Sequence, residues 1–311
     1  MSEKKLEVFN VLNFLNSGYE LEDIINEGQF GTFSSAEECI DYLVSEGYLE
    51  GDVEVSTNIE ITAEAISKKY VVSELKDILR DNGLKVSGKK QELVERVLPV
   101  LKEARDARNL SVAVDKEESY DNLELTDKAY EFLKENEWID LYMFALVAFR
   151  FEDYETYVAS SSQDNIQTAH KFCDEIASRA LMANQFLVFI DALSAKAHVY
   201  AYEGDYESFL DYDLQRYILG LNPIVMDSQS YASYDPVNYA NIINLKNVTE
   251  RFDFGSLKKR FDKIWVKSNI KNTTVPKKTA YKILQRALDG ADIEELNFDV
   301  KEKYFNKKFG I

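Results

Sequence analysis

The chain has 311 residues, a net charge of −18, 45% hydrophobic residues and 13% aromatic residues. That apolar content excludes a wholly disordered chain, and with only 12 Gly and 4 Pro the breakers are too few for a sandwich or barrel, so long helices are expected. Two cysteines, Cys39 and Cys173, exclude a disulfide framework, and no apolar run reaches the ~18 residues of a membrane-spanning helix.

The longest apolar stretch, residues 141–149, stops at Arg150, and the chain opens on the charged string Met1 to Lys5. The expectation is a cytoplasmic protein without membrane contact. The charge is unevenly placed. Residues 68–108 carry a net +4 and residues 256–311 a net +7, which leaves −29 on everything else. Phosphates are repelled by an acidic surface, so any nucleic-acid contact has to lie on one of these two basic islands.

Residues 1–66 read as a helical N-terminal segment. Leu6, Phe9, Leu12 and Leu15 keep helical spacing, and Ser34 or Ser35 caps a second helix with Ile40, Leu43 and Val44 on its apolar face. That helix ends at Gly47, as helices commonly do. The string Gly47-Tyr48-Leu49 after a helix also occurs in winged-helix proteins, but neither partner helices nor a strand-pair wing is evident.

Residues 67–103 hold the most informative string. Leu75, Ile78 and Leu79 make one apolar stripe on a first helix, and Gly83 supplies the left-handed conformation that stops it. Ser87 is a natural N-cap for a second helix whose buried face is Leu93, Val94, Val97 and Leu98. Pro99 should end or kink that helix. Lys85, Lys89 and Lys90 surround the second helix's start, where free N–H groups and the helix dipole favour an anion. Gly88 permits close approach of a phosphate to the backbone, and Arg96 lies on nearly the same face as Lys89. Contacts of this kind hold phosphate without reading sequence.

These residues resemble a SAP domain, a DNA-binding module of about 35 residues found in many chromatin and DNA-repair proteins. Its pattern has a leucine pair, Gly-Leu in the loop, then small-Gly-x-Lys-x-x-Leu-x-x-Arg. Here the pattern is met by Leu75, Leu79, Gly83, Leu84, Ser87, Gly88, Lys90, Leu93 and Arg96. The resemblance implies a helix–loop–helix with Leu75, Leu79, Gly83, Leu84 and Leu93 as its framework. It also implies double-stranded DNA as the partner, AT-rich by family expectation. Small phage and prokaryotic proteins place such a segment before a Leu-Thr-x-x-Ala helix like Leu125 to Ala129, which suggests that origin.

Residues 104–122 read as a helix end and solvated linker, and Thr126 caps a helix through Ala129, Phe132 and Leu133. Residues 123–225 read as an α-helical hairpin domain. In it Asp153-Tyr154-Glu155 can be laid against Asp205-Tyr206-Glu207 as a faint repeat. Ala197 to Pro223 resembles one tetratricopeptide-type hairpin, although Phe209 stands where a small residue belongs. Two imperfect copies do not make a solenoid.

Residues 226–255 read as a polar loop, and residues 256–311 as a basic helical C-terminal segment. Lys258, Lys259, Arg260, Lys263 and Lys267 with Trp265 form a second basic surface that either tracks a phosphate backbone or docks onto the acidic body.

His170 and Cys173 sit three apart without further metal ligands, so neither a zinc site nor a Cys–His catalytic pair is expected. No phosphate-binding glycine loop and no nucleophile elbow occurs. The expected fold is mainly α: a small SAP helix–loop–helix followed by an irregular stacked-helix domain with a TPR-like hairpin. The expected function is that of a non-enzymatic DNA-binding adaptor without cofactor or metal, with a protein partner or self-association. The alternative is a protein-interaction or structural component, of a phage for example, whose SAP-like hairpin contacts protein.

Overall fold

The computed structural model describes residues 2–19, 21, 24, 32–51, 54–56, 63–108, 117–119, 122–224, 234–271 and 273–309. It is mainly helical, as the sequence pattern predicts, and falls into two compact units. One comprises Met1–Val11, Gly31–Phe33 and Glu131–Ile311; the other comprises Leu12–Phe30 and Ser34–Tyr130. The N-terminal 66 residues are therefore shared between the units, whereas residues 131–225 and 256–311 fold together.

In the unit that holds the lysine-rich loop, the Ala36–Ser45 helix starts at Ser35, whose hydroxyl accepts the Glu38 N–H at 3.2 Å. Cys39, Ile40 and Leu43 are buried. The helix closes with the Tyr48 N–H on the Leu43 carbonyl at 2.8 Å, just after Gly47, which is the expected glycine stop.

Strands β1 (Leu49–Glu50) and β2 (Glu54–Ser56) follow, and strands β3 (Glu117–Ser119) and β4 (Glu124–Leu125) return on the far side of the SAP-like helices. β1 pairs antiparallel with β4, placing Leu49 opposite Leu125, and β2 pairs with β3, placing Val55 opposite Glu118. Gly51 and Asn122 lie between these paired stretches. Gly51 stands there with φ +132°, and a Cβ on it would overlap the Asn122 carbonyl.

A strand pair thus follows Gly47-Tyr48-Leu49 after all, and part of the expected linker 104–122 is paired backbone. The rest of that linker is a helix end, a turn at Asn122 or, at 109–116, 120 and 121, lies outside the described residues. The alternation that signals a strand cannot register over two or three residues.

Three helices lie between the strands: Ala63–Lys69, Val72–Asp81 and Lys90–Arg108. The last runs through Pro99 rather than ending there. Proline in a helix forfeits one hydrogen bond, a cost of ~3 kcal/mol. Val97 on one side of it is buried, and Leu101 on the other packs against the same core, which offsets that loss.

In the second unit Trp138 stacks on Phe151 at 5.4 Å between ring centres, and Tyr154 meets Phe172 at 5.1 Å. The helices Asn165–Met182, Phe186–Tyr202 and Tyr206–Gly220 follow in short-turned succession and pack as neighbours, a stack of helices. The Asp-Tyr-Glu correspondence does not survive. Asp205 is the cap of its helix and accepts the Ser208 N–H at 3.0 Å, whereas Asp153 to Glu155 lie inside the Phe151–Ser160 helix.

The expected polar loop 226–255 contains the helix Tyr239–Arg251, capped by Asn238 on the Asn241 N–H at 3.0 Å. Ile242, Leu245 and Val248 are its buried face; the asparagines between them mask that stripe in the sequence. Residues 225–233 lie outside the described residues. Phe261, Ile264, Ile283 and Leu284 from the basic C-terminal region share the same core as Phe209, Leu214, Tyr217 and Ile218. The Tyr217 hydroxyl seals that contact by donating to the Ala280 carbonyl at 2.9 Å.

Candidate nucleic-acid interface

The helix pair around the loop has its own small core: Ile66, Leu75, Leu79, Leu93, Val94 and Val97 are buried, with Tyr70, Ile78 and Val86 packed at its edge. Leu75, Leu79 and Leu93 are the expected framework positions. Leu84 is not part of it; it is 40% exposed, and Val86, two residues on, packs at the edge in its place. The first helix closes with the Leu84 N–H on the Leu79 carbonyl at 2.7 Å, with Gly83 left-handed as expected.

The loop is organised by Arg96. Its guanidinium donates to the Ser87 carbonyl at 2.7 Å and to the Lys85 carbonyl, and lies 3.7 Å from the Glu92 carboxylate. The arginine expected to flank a phosphate is thus engaged with the loop's own backbone. Gly88 has a matching role. Its φ is +140°, and a Cβ there would overlap the Glu92 carboxylate and come within 2.6 Å of Arg96 Nη2. The space that a side chain at residue 88 would fill is taken by the Glu92–Arg96 pair, not left open for a ligand.

Ser87 is not the N-cap. The second helix begins at Lys90, and its first turn closes with the Leu93 N–H on the Lys89 carbonyl at 3.1 Å. Ser87 and Gly88 instead form the approach to it, with the Ser87 carbonyl spent on Arg96.

Lys85, Lys89 and Lys90 are exposed and make no ion pair with any described residue. They bracket a helix start whose first N–H groups lack helical acceptors. Three free ammonium groups and a helix N-terminus on one loop form an anion-attracting surface.

The second basic surface is different, because most of its cations are already engaged, two of them by carboxylates of the Tyr206–Gly220 helix and one by Asp262 of their own helix. Arg260 reaches Glu207 at 2.9 Å and Asp211 at 3.3 Å, Lys263 lies 3.8 Å from Asp211, and Lys258 meets Asp262 at 2.6 Å. Lys267 lies over the Tyr212 ring at 5.5 Å. Trp265 is half-buried against Phe261 at 5.8 Å between ring centres, so it is not presented for base stacking. Only Lys259 of the five cations has neither an ion pair nor a ring contact among the described residues. The docking alternative for this stretch is the one the geometry matches.

The Ala36–Ser45 helix and the turn after it expose Glu38, Asp41 and Glu46, which would repel phosphate. Cys173 is buried and its thiol is pushed up to about 12, chiefly by burial, so it is no nucleophile. His170 Nε2 pairs with Glu203 at 3.1 Å. His198 is half-buried with Nδ1 on the Ser194 carbonyl at 2.8 Å, and its partial burial holds it below its ordinary pKa. No group of metal-ligating side chains gathers among the described residues.

A buried leucine pair, a loop closed by glycine, and lysines around a second helix start define a small helical hairpin that attracts anions. Residues 67–102 match the SAP domain family, and the protein is a SAP domain-containing protein. The match spans 36 of the 311 residues. SAP domains in general bind DNA, so nucleic-acid binding is the activity this part of the chain implies. No curated protein and no solved structure matches the chain.

Proposed function

We propose that the protein is a non-enzymatic adaptor that holds duplex DNA by its phosphates through the SAP loop. The observation that carries this reading is the trio Lys85, Lys89 and Lys90, exposed and without an ion pair among the described residues around the start of the Lys90–Arg108 helix, while the other basic stretch is largely consumed by Glu207, Asp211 and Asp262. One loop neutralising three or so phosphates binds only at non-specific strength, with a Kd on the order of 10⁻⁴–10⁻⁶ M. The acidic helical unit then serves a protein partner or self-association, which raises affinity by multivalency. The site of action is the cytoplasm, and AT-rich duplex is the preferred ligand by family likeness.

Fluorescence anisotropy of the intact protein with AT-rich and GC-rich duplexes at two salt concentrations tests the reading. Salt-sensitive binding that favours AT supports it. Absence of binding to either duplex at low salt overturns it, and shifts the weight to a protein-contacting hairpin.

A further inference from the structure

The anion-attracting helix start is already attended by one of the protein's own carboxylates. Glu92 is the third residue of the Lys90–Arg108 helix, and its side chain turns back toward Gly88 until it fills the space a Cβ at residue 88 would need. Its carboxylate lies 3.7 Å from Arg96 Nη2, and Arg96 in turn grips the Ser87 and Lys85 carbonyls. A negative side chain in the first turn of a helix enjoys the same field that draws a phosphate there.

We propose that Glu92 is a resident competitor for the phosphate and that the Glu92–Arg96 pair sets the affinity of the SAP loop. The inference rests on the DNA-binding reading above. A phosphate approaching the N–H groups at the helix start meets the Glu92 carboxylate, and has either to displace it or to sit beside a like charge. Arg96 is a positioning residue: it shapes the loop that carries Lys85 and partly neutralises Glu92, without touching the ligand. The Glu92 side chain is 58% exposed, so its repulsion is screened by solvent and salt. Its effect is therefore largest at low ionic strength and modest in size.

The test is duplex-DNA anisotropy on the full chain carrying Glu92→Gln, Glu92→Asp or Arg96→Gln, at two salt concentrations, with each variant's fold checked by thermal melting. Glu92→Gln is expected to tighten binding about three- to tenfold at low salt, a gain that shrinks as salt screens the charge. Glu92→Asp keeps the charge and is expected to bind like the parent. Arg96→Gln is expected to weaken binding while leaving the salt slope unchanged, whereas loss of a true phosphate contact lowers the slope by about 0.9.

Parent-like or weaker binding by a folded Glu92→Gln variant overturns the competitor role while leaving the DNA reading intact. Equal gains from the Asp and Gln variants overturn its electrostatic basis, and a reduced slope in Arg96→Gln makes Arg96 a contact residue. If neither parent nor Glu92→Gln binds duplex, the DNA reading itself fails and this inference falls with it.

Discussion

The Thr126 hydroxyl donates to the Gly47 carbonyl at 2.7 Å, and the Thr126 backbone N–H donates to the Tyr48 carbonyl at 3.1 Å. This joins two residues nearly 80 positions apart at the root of the β-ribbon, where the chain departs toward the SAP domain and returns from it. Lys128 reinforces the joint, lying over the Tyr48 ring at 4.6 Å while donating to the Glu46 carbonyl. Thr126 also caps the following helix by accepting the Ala129 N–H at 3.3 Å. Thr126→Val removes both roles and is expected to cost about 1–2 kcal/mol. Hydrogen exchange should show faster exchange at Leu49, Leu125 and Ala129 and unchanged protection in the Phe186–Tyr202 helix; uniform loss of protection would refute a local role.

Gly51 should tolerate no side chain. With φ at +132° and the Asn122 carbonyl where a Cβ would stand, Gly51→Ala has to shift backbone. A loss of about 1–3 kcal/mol is expected, read by urea denaturation. A neutral substitution would mean that the ribbon is not paired as described.

The SAP core is small enough for one truncation to unfold it. Leu79→Ala, at a fully buried position, is expected to cost about 2–5 kcal/mol. Duplex binding should be lost while near-ultraviolet circular dichroism from Trp138 and Trp265 is retained. Retained binding would place the DNA contact outside this hairpin.

Charge reversal at the loop tests the interface directly. Lys89→Glu with Lys90→Glu should abolish duplex binding, and Lys89→Gln alone should lower the log–log salt slope by about 0.9. The same reversals at Lys258 and Lys263, already engaged by Asp262 and Asp211, should leave DNA affinity unchanged and instead lower stability.

Asp213 predicts a pH dependence. It is fully buried between helices, and burial pushes its carboxyl up to about 7, against the opposing pull of Arg216, whose guanidinium lies 3.6 Å away. Between the unfolded value near 3.8 and about 7, the folded state holds a proton that the unfolded state has released. Stability from this group is therefore present at low pH and declines as pH rises through that window. Asp213→Asn should flatten that decline, because an asparagine side chain binds no proton in this range. Urea midpoints at pH 5 and pH 8 compare the two proteins, and an equal drop in both would refute the assignment.

Much of the SAP hairpin was legible because its signals are local. Leu75 and Leu79 share a turn, Gly83 stops a helix wherever it occurs, and the spacing from Gly88 to Arg96 spans about two turns. Roles that depend on what a side chain meets were not legible. Arg96 and a phosphate-binding arginine look identical in sequence, and only the folded loop turns the carbonyls of Lys85 and Ser87 toward the guanidinium. The ribbon escaped for another reason: strands of two and three residues have no period to detect, although Gly47-Tyr48-Leu49 and Leu125-Thr126 were both visible as strings.

By itself the amino-acid order determined a helical protein, a SAP domain at its place in the chain, and an acidic body with two basic islands, because periodicity, helix stops and charge are properties of neighbours. The tertiary structure decided which island stays free. Glu207 and Asp211 come within reach of Arg260 and Lys263 only once the Tyr206–Gly220 and Leu257–Lys267 helices pack, whereas among the described residues no carboxylate pairs with Lys85, Lys89 or Lys90. Opposite charges pair where folding brings them within a few ångströms, and that distance is set by the packing of helices far apart in the chain.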